Sequence, residues 1–347
     1  MVRQGCLQAF VSLRARPAVL LTGVLTAATT NVAAAQTAET VKLATYNVEH
    51  FGKMFDQVQM PYRSRNRTEL FRDEEDLYEV ARTIQLDRLD PDLLAIQECC
   101  EQRHLETFNQ RWLGGKYAFV KVFPGNTDGQ FLGVLAKPGF EPLAVKDRYY
   151  READSVDNPA LRAAKAKDRL DRGNLLFPRG PVFVKFRTPG GHVIWVGCTH
   201  VKSKYGNNEV VTRWRVRELQ RTRAICGELL ATGETDLLAI VGDFNDDFGQ
   251  DRHEKAVGAD AVATMLAGQG TQRLTCLTKP LVEADPAKST YHCQIKPPTY
   301  RSFLDHIFVS PALARAARQT YVVDDPIAAA ASDHYPVVSV FSLPRKP

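Results

Sequence analysis

Asp236-Leu237-Leu238-Ala239-Ile240-Val241-Gly242-Asp243-Phe244-Asn245-Asp246 is an apolar run that breaks into a carboxylate and a carboxamide two residues apart. Five to six apolar residues closed by Gly read as a buried strand. In extended backbone, side chains at i and i+2 leave the same face, so Asp243 and Asn245 emerge side by side. A carboxylate can bind a cation or orient water, and a carboxamide can donate to a phosphate oxygen without adding repulsive charge. The same letters also suit a polar turn. The rest of the chain has to separate these readings.

Outward from this stretch, Asp92-Leu93-Leu94-Ala95-Ile96 repeats Asp236 to Ile240 letter for letter and runs on into Gln97-Glu98. Each run follows a segment of helical spacing, which hints at two similar halves, although buried strands draw on few residue types. The spacing predicts a strand over 41–49, a helix through Leu77, Val80, Ala81 and Ile84, and strands near 117–123, 130–136, 181–187 and 192–199. A long helix is expected over 208–231, with Val211, Trp214, Leu219, Ile225 and Leu229 near one face. Strands at 303–309 and 334–342 flank a short helix near 311–317.

The chain has 347 residues, 44% hydrophobic and 24% charged, a balance suited to a sizeable core. Residues 1–35 carry Arg3, Arg14 and Arg16, an apolar segment Ala18 to Ala28, and Ala33-Ala34-Ala35 before Gln36. These are the parts of a secretory signal peptide, and the apolar segment is short for a membrane span. The expected mature unit is one domain over 36–347, secreted or periplasmic, monomeric, and without membrane insertion once the leader is removed. Loss of the three arginines takes the formal charge from +5 to +2, so bulk charge gives no argument for nucleic-acid binding.

Six cysteines remain, and export permits disulfides; Cys276 and Cys293 bracket a polar loop, while Cys198 and Cys226 fit buried thiols equally well. No zinc-type Cys/His spacing is present. Residues 146–179 hold nine Lys or Arg and six Asp or Glu, the composition of a solvated excursion or of a substrate-binding lid. Residues 201–225 add seven cations, Lys202 and Lys204 among them, which fit either a solvated helix face or a row of phosphate contacts.

Polar residues gather at the ends of the apolar runs: Asn47, Glu98, His200, Asp243, Asn245, Asp305 and Ser332-Asp333-His334. Strand ends on one rim give a rigid place to assemble a site. The ordered set Thr45-Tyr46-Asn47-Val48, Gln97-Glu98, Thr199-His200, Gly242-Asp243-Phe244-Asn245, Leu304-Asp305-His306 and Ser332-Asp333-His334-Tyr335-Pro336 resembles the endonuclease/exonuclease/phosphatase superfamily, which includes pancreatic-type deoxyribonuclease.

That resemblance implies a four-layer α/β sandwich, with two packed, mixed, mostly antiparallel sheets and helices on the outer faces. It also implies phosphoester hydrolysis with Mg²⁺, or with Mn²⁺ or Ca²⁺ in its place. Carried over, Glu98 is a metal ligand, Asn47 touches the metal shell or the phosphate, and Asp333 lies near the metal. Asp243 aligns or deprotonates the attacking water, and Asn245 holds a phosphoryl oxygen. His334 is a general base or a phosphate contact oriented by Asp305, and His200 protonates the leaving oxygen. Asp128 or Gln130 is the counterpart of the family's acid behind His200. Arg179 and Lys202 are expected on the substrate, and Asp246 and Asp247 are expected to be solvated.

Histidine at position 200 resembles secreted deoxyribonucleases, sphingomyelinases and some phosphatases rather than abasic-site repair members. The runs 199–204 and 126–128 resemble secreted bacterial nucleases. The expected activity is therefore that of a phosphodiesterase of low sequence specificity on DNA or RNA. A phospholipid headgroup, a small phosphate ester, or a catalytically silent binding role are the alternatives.

Overall fold

In the computed structural model, the residues described are 38–55, 74–127, 129–167, 170–171, 173–204, 206, 208–293 and 300–346. The expected leader therefore lies outside the described residues, as does Asp128. Residues 37–347 form one compact unit.

The strands in chain order are β1 (Glu39–Asn47), β2 (Leu93–Cys99), β3 (Phe119–Phe123), β4 (Phe131–Ala136), β5 (Glu141–Lys146), β6 (Val182–Arg187) and β7 (Val193–His200). They continue as β8 (Leu237–Asp243), β9 (Thr275–Cys276), β10 (Tyr291–Cys293), β11 (Tyr300–Ser302), β12 (Asp305–Val309), β13 (Ala317–Val322) and β14 (Val337–Leu343). Two six-stranded sheets result, ordered β13-β14-β1-β2-β4-β3 and β5-β6-β7-β8-β12-β9, with β10 and β11 as a separate hairpin. Each large sheet has one parallel pair, β1/β2 and β7/β8, and is otherwise antiparallel. This is the expected α/β sandwich.

The repeated pentapeptide occupies equivalent places. β2 lies between parallel β1 and antiparallel β4, and β8 lies between parallel β7 and antiparallel β12. Both are central strands covered on both faces, where alternation has no use and a continuous apolar run is the stable choice. Along β2, Leu93 and Ala95 join a core shared with Val184, Val196, Val241 and Ile307 of the second sheet. Leu94 and Ile96 face the other way, onto Leu77, Val80 and Ile84 of α1 (Glu74–Gln85) and Phe108 of α2 (Gln102–Arg111). On the far side, Trp195, Leu238 and Ile240 pack beneath Trp214, Leu219 and Ile225.

The strip Trp214, Leu219, Ile225 belongs to α4 (Glu209–Ala231), preceded by α3 (Pro159–Ala166) and followed by α5 (Arg252–Val257). The Asn208 side chain caps α4 by accepting the Val211 N–H at 3.0 Å, satisfying a donor the first turn leaves open. The expected helix and its buried face are both present.

The charged segments are more tied to the fold than their composition suggests, and two expectations, solvated Asp246 and Asp247 and a Cys276–Cys293 pair, are overturned. The 146–179 segment keeps an exposed stretch at 155–160 but is docked through its charges: Asp154 is buried, bonded to Lys165 Nζ at 2.9 Å and to Arg217 of α4 at 2.8 and 2.7 Å. Glu152 takes Arg221 in the same two-pronged way, and Trp214 Nε1 donates to Leu176 O at 2.7 Å. Two of the five arginines of α4, Arg217 and Arg221, are thereby absorbed by packing. Asp246 is fully buried between Lys204 and Arg215, and Asp247 accepts from Ser302 Oγ and the Phe303 N–H. Cys276 is a free thiol against Thr278, so it is not joined to Cys293, whose side chain lies outside the described residues. Among the described residues, no helix is long and apolar enough to cross a membrane.

Candidate active site

Strand register assembles the site. On the second sheet, His200 of β7 is paired with Asp243 of β8, and Asp243 with Asp305 of β12, so three polar side chains stand in a row at one rim. On the first sheet, Asn47 of β1 is paired with Gln97 of β2, which brings Glu98 to the adjoining rim. Asn47 Nδ2 donates across the sandwich to Asp243 Oδ2 at 3.1 Å, joining the two rims. Ser332 adds a second link: its hydroxyl donates to Asn47 O at 2.7 Å and accepts the His334 N–H at 3.1 Å.

Gly242 is dictated by this register. Its φ is +148°, and a Cβ there would lie 2.0 Å from Thr199 O. Glycine alone tolerates that approach. Glu98 and Asn245 also sit in the left-handed region, at φ +54° and +50°. For non-glycine residues this costs up to about 1–3 kcal/mol and clusters where a side chain must be aimed.

Asp243 is the hub. Oδ1 accepts the Asn245 N–H at 2.7 Å; Oδ2 accepts Asn47 Nδ2 and Asn245 Nδ2 and lies 3.3 Å from His200 Nε2. Burial alone would raise its pKa, but the two imidazoles and these donors hold it well below the usual carboxylate range. The second Nδ2 hydrogen of Asn245 goes to Val201 O at 3.0 Å, an acceptor that fixes the amide orientation. Both amide hydrogens are thus engaged, and Asn245 positions Asp243 instead of presenting a free donor to a phosphoryl oxygen.

His334 Nδ1 bonds Asp305 Oδ2 at 2.7 Å, leaving Nε2 3.8 Å from Asp333 Oδ1 and 3.9 Å from Asp243 Oδ2. Burial opposes its charge, yet three carboxylates outweigh burial and push its pKa well above the ordinary value. Asp305 is held in turn by Thr290, whose hydroxyl accepts both the Leu304 and Asp305 N–H groups. His200 shifts the opposite way: burial and the Arg179 guanidinium lower its pKa against the pull of Asp243. Its Nδ1 is buried without a hydrogen-bond partner among the described residues. The expected acid behind it, Asp128, lies outside the described residues; Gln130 is described but makes no hydrogen bond to this imidazole. The two imidazoles are thus shifted in opposite directions, His334 toward the charged form and His200 toward the neutral one.

Glu98 keeps 14% of its side chain exposed, and its Oε2 accepts the His50 N–H at 2.9 Å. Burial would raise it, but His50, His200 and Arg179 bring its pKa down to about 2. Arg179 is itself buried, with Nε and Nη1 unpartnered, so it is an inward-facing cation and not a surface arginine. Lys202 borders the site two residues beyond His200; its N–H donates to Glu218 and its Nζ lies 5.8 Å from the Trp214 ring centroid.

The donor set suits a sparsely ligated Mg²⁺. Among the described residues no three His, Cys, Asp or Glu side chains form a metal cage. Mg²⁺ requires none, because it retains waters and binds through one or two carboxylates plus substrate phosphate. An ionised, partly exposed Glu98, next to the Gln97 that pairs with Asn47, fits that pattern.

Sequence reading missed His50, which follows the strand-end motif in an irregular backbone, and Thr290 and Tyr291, whose loop carries no catalytic letters. Tyr291 bridges to His334 in backbone pairing, with ring centroids 5.1 Å apart, so the β10–β11 hairpin covers the imidazole. No motif signal could have found it.

Three solved structures share the fold. D. rerio TDP2, complexed with single strand DNA product, is 14% identical over 87% of this chain and 98% of its own, with a TM-score of 0.54. The human Nocturnin catalytic domain with bound sulfate anion is 14% identical over 88% and 97%, with a TM-score of 0.53. An endonuclease/exonuclease/phosphatase family protein from Bacteroides thetaiotaomicron is 15% identical over 88% and 99%, with a TM-score of 0.51. No curated protein matches the chain. The model of the Endonuclease/Exonuclease/phosphatase family matches residues 44–334, a span that contains every rim residue described above, and the chain belongs to that family.

Proposed function

We propose that the chain is an exported, divalent-metal-dependent phosphodiesterase whose substrate is nucleic acid. Family membership supports phosphoric-ester hydrolysis. The observation that carries the reading is the convergence of His200, Asp243, Asp305 and His334 on one rim, tied to Asn47 and facing Glu98. Nucleic acid is the substrate class to test first, because the same fold holds a single-strand DNA product in D. rerio TDP2. Export rests on the residue pattern of 1–35.

A divalent ion bound at Glu98 and Asn47 supplies charge neutralisation at the phosphate. Asp243 orients the attacking water; its low proton affinity makes it an aligning group more than a proton store. Asn47 and Asn245 hold that carboxylate in place. His334, cationic and anchored by Asp305, presents Nε2–H to a phosphate or leaving oxygen, where a fixed donor acts with little reorganisation. Arg179 offers its unpartnered nitrogens to a second phosphate oxygen.

The test is to incubate residues 36–347 with plasmid DNA, RNA, sphingomyelin and a chromogenic phosphodiester, under Mg²⁺, Mn²⁺, Ca²⁺ or chelator, beside His334→Ala. Metal-dependent loss of DNA or RNA that the variant abolishes supports the reading. Intact nucleic acid under every metal, with folded protein, overturns it, and turnover of lipid alone moves the assignment to a lipid phosphodiesterase. Mass spectrometry of the protein recovered outside the cytoplasm, starting at Gln36, supports export; retention of an intact Met1 terminus inside the cell overturns that part.

A further inference from the structure

The docked 146–179 segment builds something besides a brace. Together with the start of α4 it encloses an open groove of about 570 Å³. Ala160, Ala163 and Ala164 of α3 form one wall, and Val210 and Val211 in the first turn of α4 form the other. Lys167 and Lys202 also line it, with Glu209 as the one acid among the lining residues. The wall is preformed, because Lys165, one turn along α3, is locked to Asp154 and through it to Arg217. The chain links the groove to the active site: Lys202, in the lining, follows His200 by two residues, and the intervening Val201 carbonyl accepts from Asn245.

We infer that this groove is a nucleic-acid strand channel, taking the backbone of a single strand that leads away from the scissile phosphate. The inference rests on the phosphodiesterase reading above. Three features favour that occupant. Two lysines in the lining suit contacts to backbone phosphates, and the N-terminus of a 23-residue helix adds positive potential to one wall. Small apolar side chains between them leave room for sugar and base edges without reading sequence, as single-strand grooves do.

The test measures binding and turnover separately. Fluorescence anisotropy of a single-stranded oligonucleotide of about twelve residues, in chelator so that nothing is cleaved, is compared for wild type, Lys167→Glu, Ala163→Trp and a charge control, Lys121→Glu, exposed on β3 of the other sheet. Both groove variants are expected to weaken binding about tenfold, and Lys167→Glu to flatten the slope of log K against log salt by about 1. Their kcat/KM on the oligonucleotide falls in step, while turnover of bis(4-nitrophenyl) phosphate holds at the wild-type value. Binding and slope equal to wild type overturn the inference, and so does an equal loss in Lys121→Glu, which would mark a bulk charge effect. Loss of affinity for sphingomyelin vesicles, with oligonucleotide binding intact, overturns it too. If Ala163→Trp also impairs the small ester, the plug has distorted the centre and Lys167→Glu alone decides. Wild-type protein that cleaves neither substrate counts against the hydrolase reading, and the anisotropy series still judges the groove.

Discussion

Asp243 and Asp305 stand directly opposite each other on antiparallel β8 and β12, two buried carboxylates in one cross-strand pair. Like charges so placed repel, and the pair persists because cations and donors surround it. The His334 imidazole reaches between them, 2.7 Å from Asp305 Oδ2 and 3.9 Å from Asp243 Oδ2. One strand pairing therefore specifies both the hub that aligns water and the anchor that charges the histidine.

Asp305→Asn removes the carboxylate that most favours protonation of His334, so the imidazole loses its positive charge while its Nδ1 keeps a hydrogen-bond partner. We expect kcat to fall by about 10²–10⁴ with little change in KM, and the His334 pKa to drop toward its ordinary value. Steady-state kinetics and an NMR titration of the imidazole check this together; an unchanged His334 titration would falsify the anchoring role.

Glu98→Gln keeps the shape of the side chain and the bond from His50 N–H while removing the hard anionic donor. Mg²⁺ or Mn²⁺ affinity should weaken by roughly tenfold or more, and excess metal should restore part of the activity. Calorimetric titration of the metal into folded protein reads this directly, and equal affinities for the two proteins would place the ion elsewhere.

Glu218 lies buried under the site, and desolvation lifts its pKa from 4.5 to about 8. A raised folded-state pKa means that stability is complete below about 4.5 and declines as the pH climbs to about 8, because only the unfolded chain ionises in that window. Glu218→Gln should remove this loss and gain about 2 kcal/mol over wild type at pH 8 while matching it at pH 4.5. Urea melts at both pH values decide it, and parallel wild-type and variant curves would sink the argument.

Asp154→Ala strands Lys165 and Arg217, whose charges converge on that one carboxylate. Breaking a buried ion pair from one side costs about 3–5 kcal/mol, since an uncompensated charge is left inside. Limited proteolysis should then cut first within 146–179. A variant as stable and as protease-resistant as wild type would show that the segment is held by its apolar contacts instead.

The sequence by itself determined the central strands, the long helix and the order of the rim motifs. These follow from local rules: twin apolar runs such as 92–96 and 236–240 need burial on both faces, and Gly242, Asp243 and Asn245 fall at a strand end whatever surrounds them. Only the tertiary structure decided what each polar residue does. That His334 is pushed toward the charged form and His200 toward the neutral one depends on which of Asp305, Asp333, Asp243 and Arg179 stands nearest, a matter of distances across strands far apart in the chain. Likewise the charges of 146–179 and of α4 look solvated one segment at a time, yet they satisfy one another once Asp154 meets Lys165 and Arg217. Periodicity reports which face is buried; it carries no information on what a buried charge will find there.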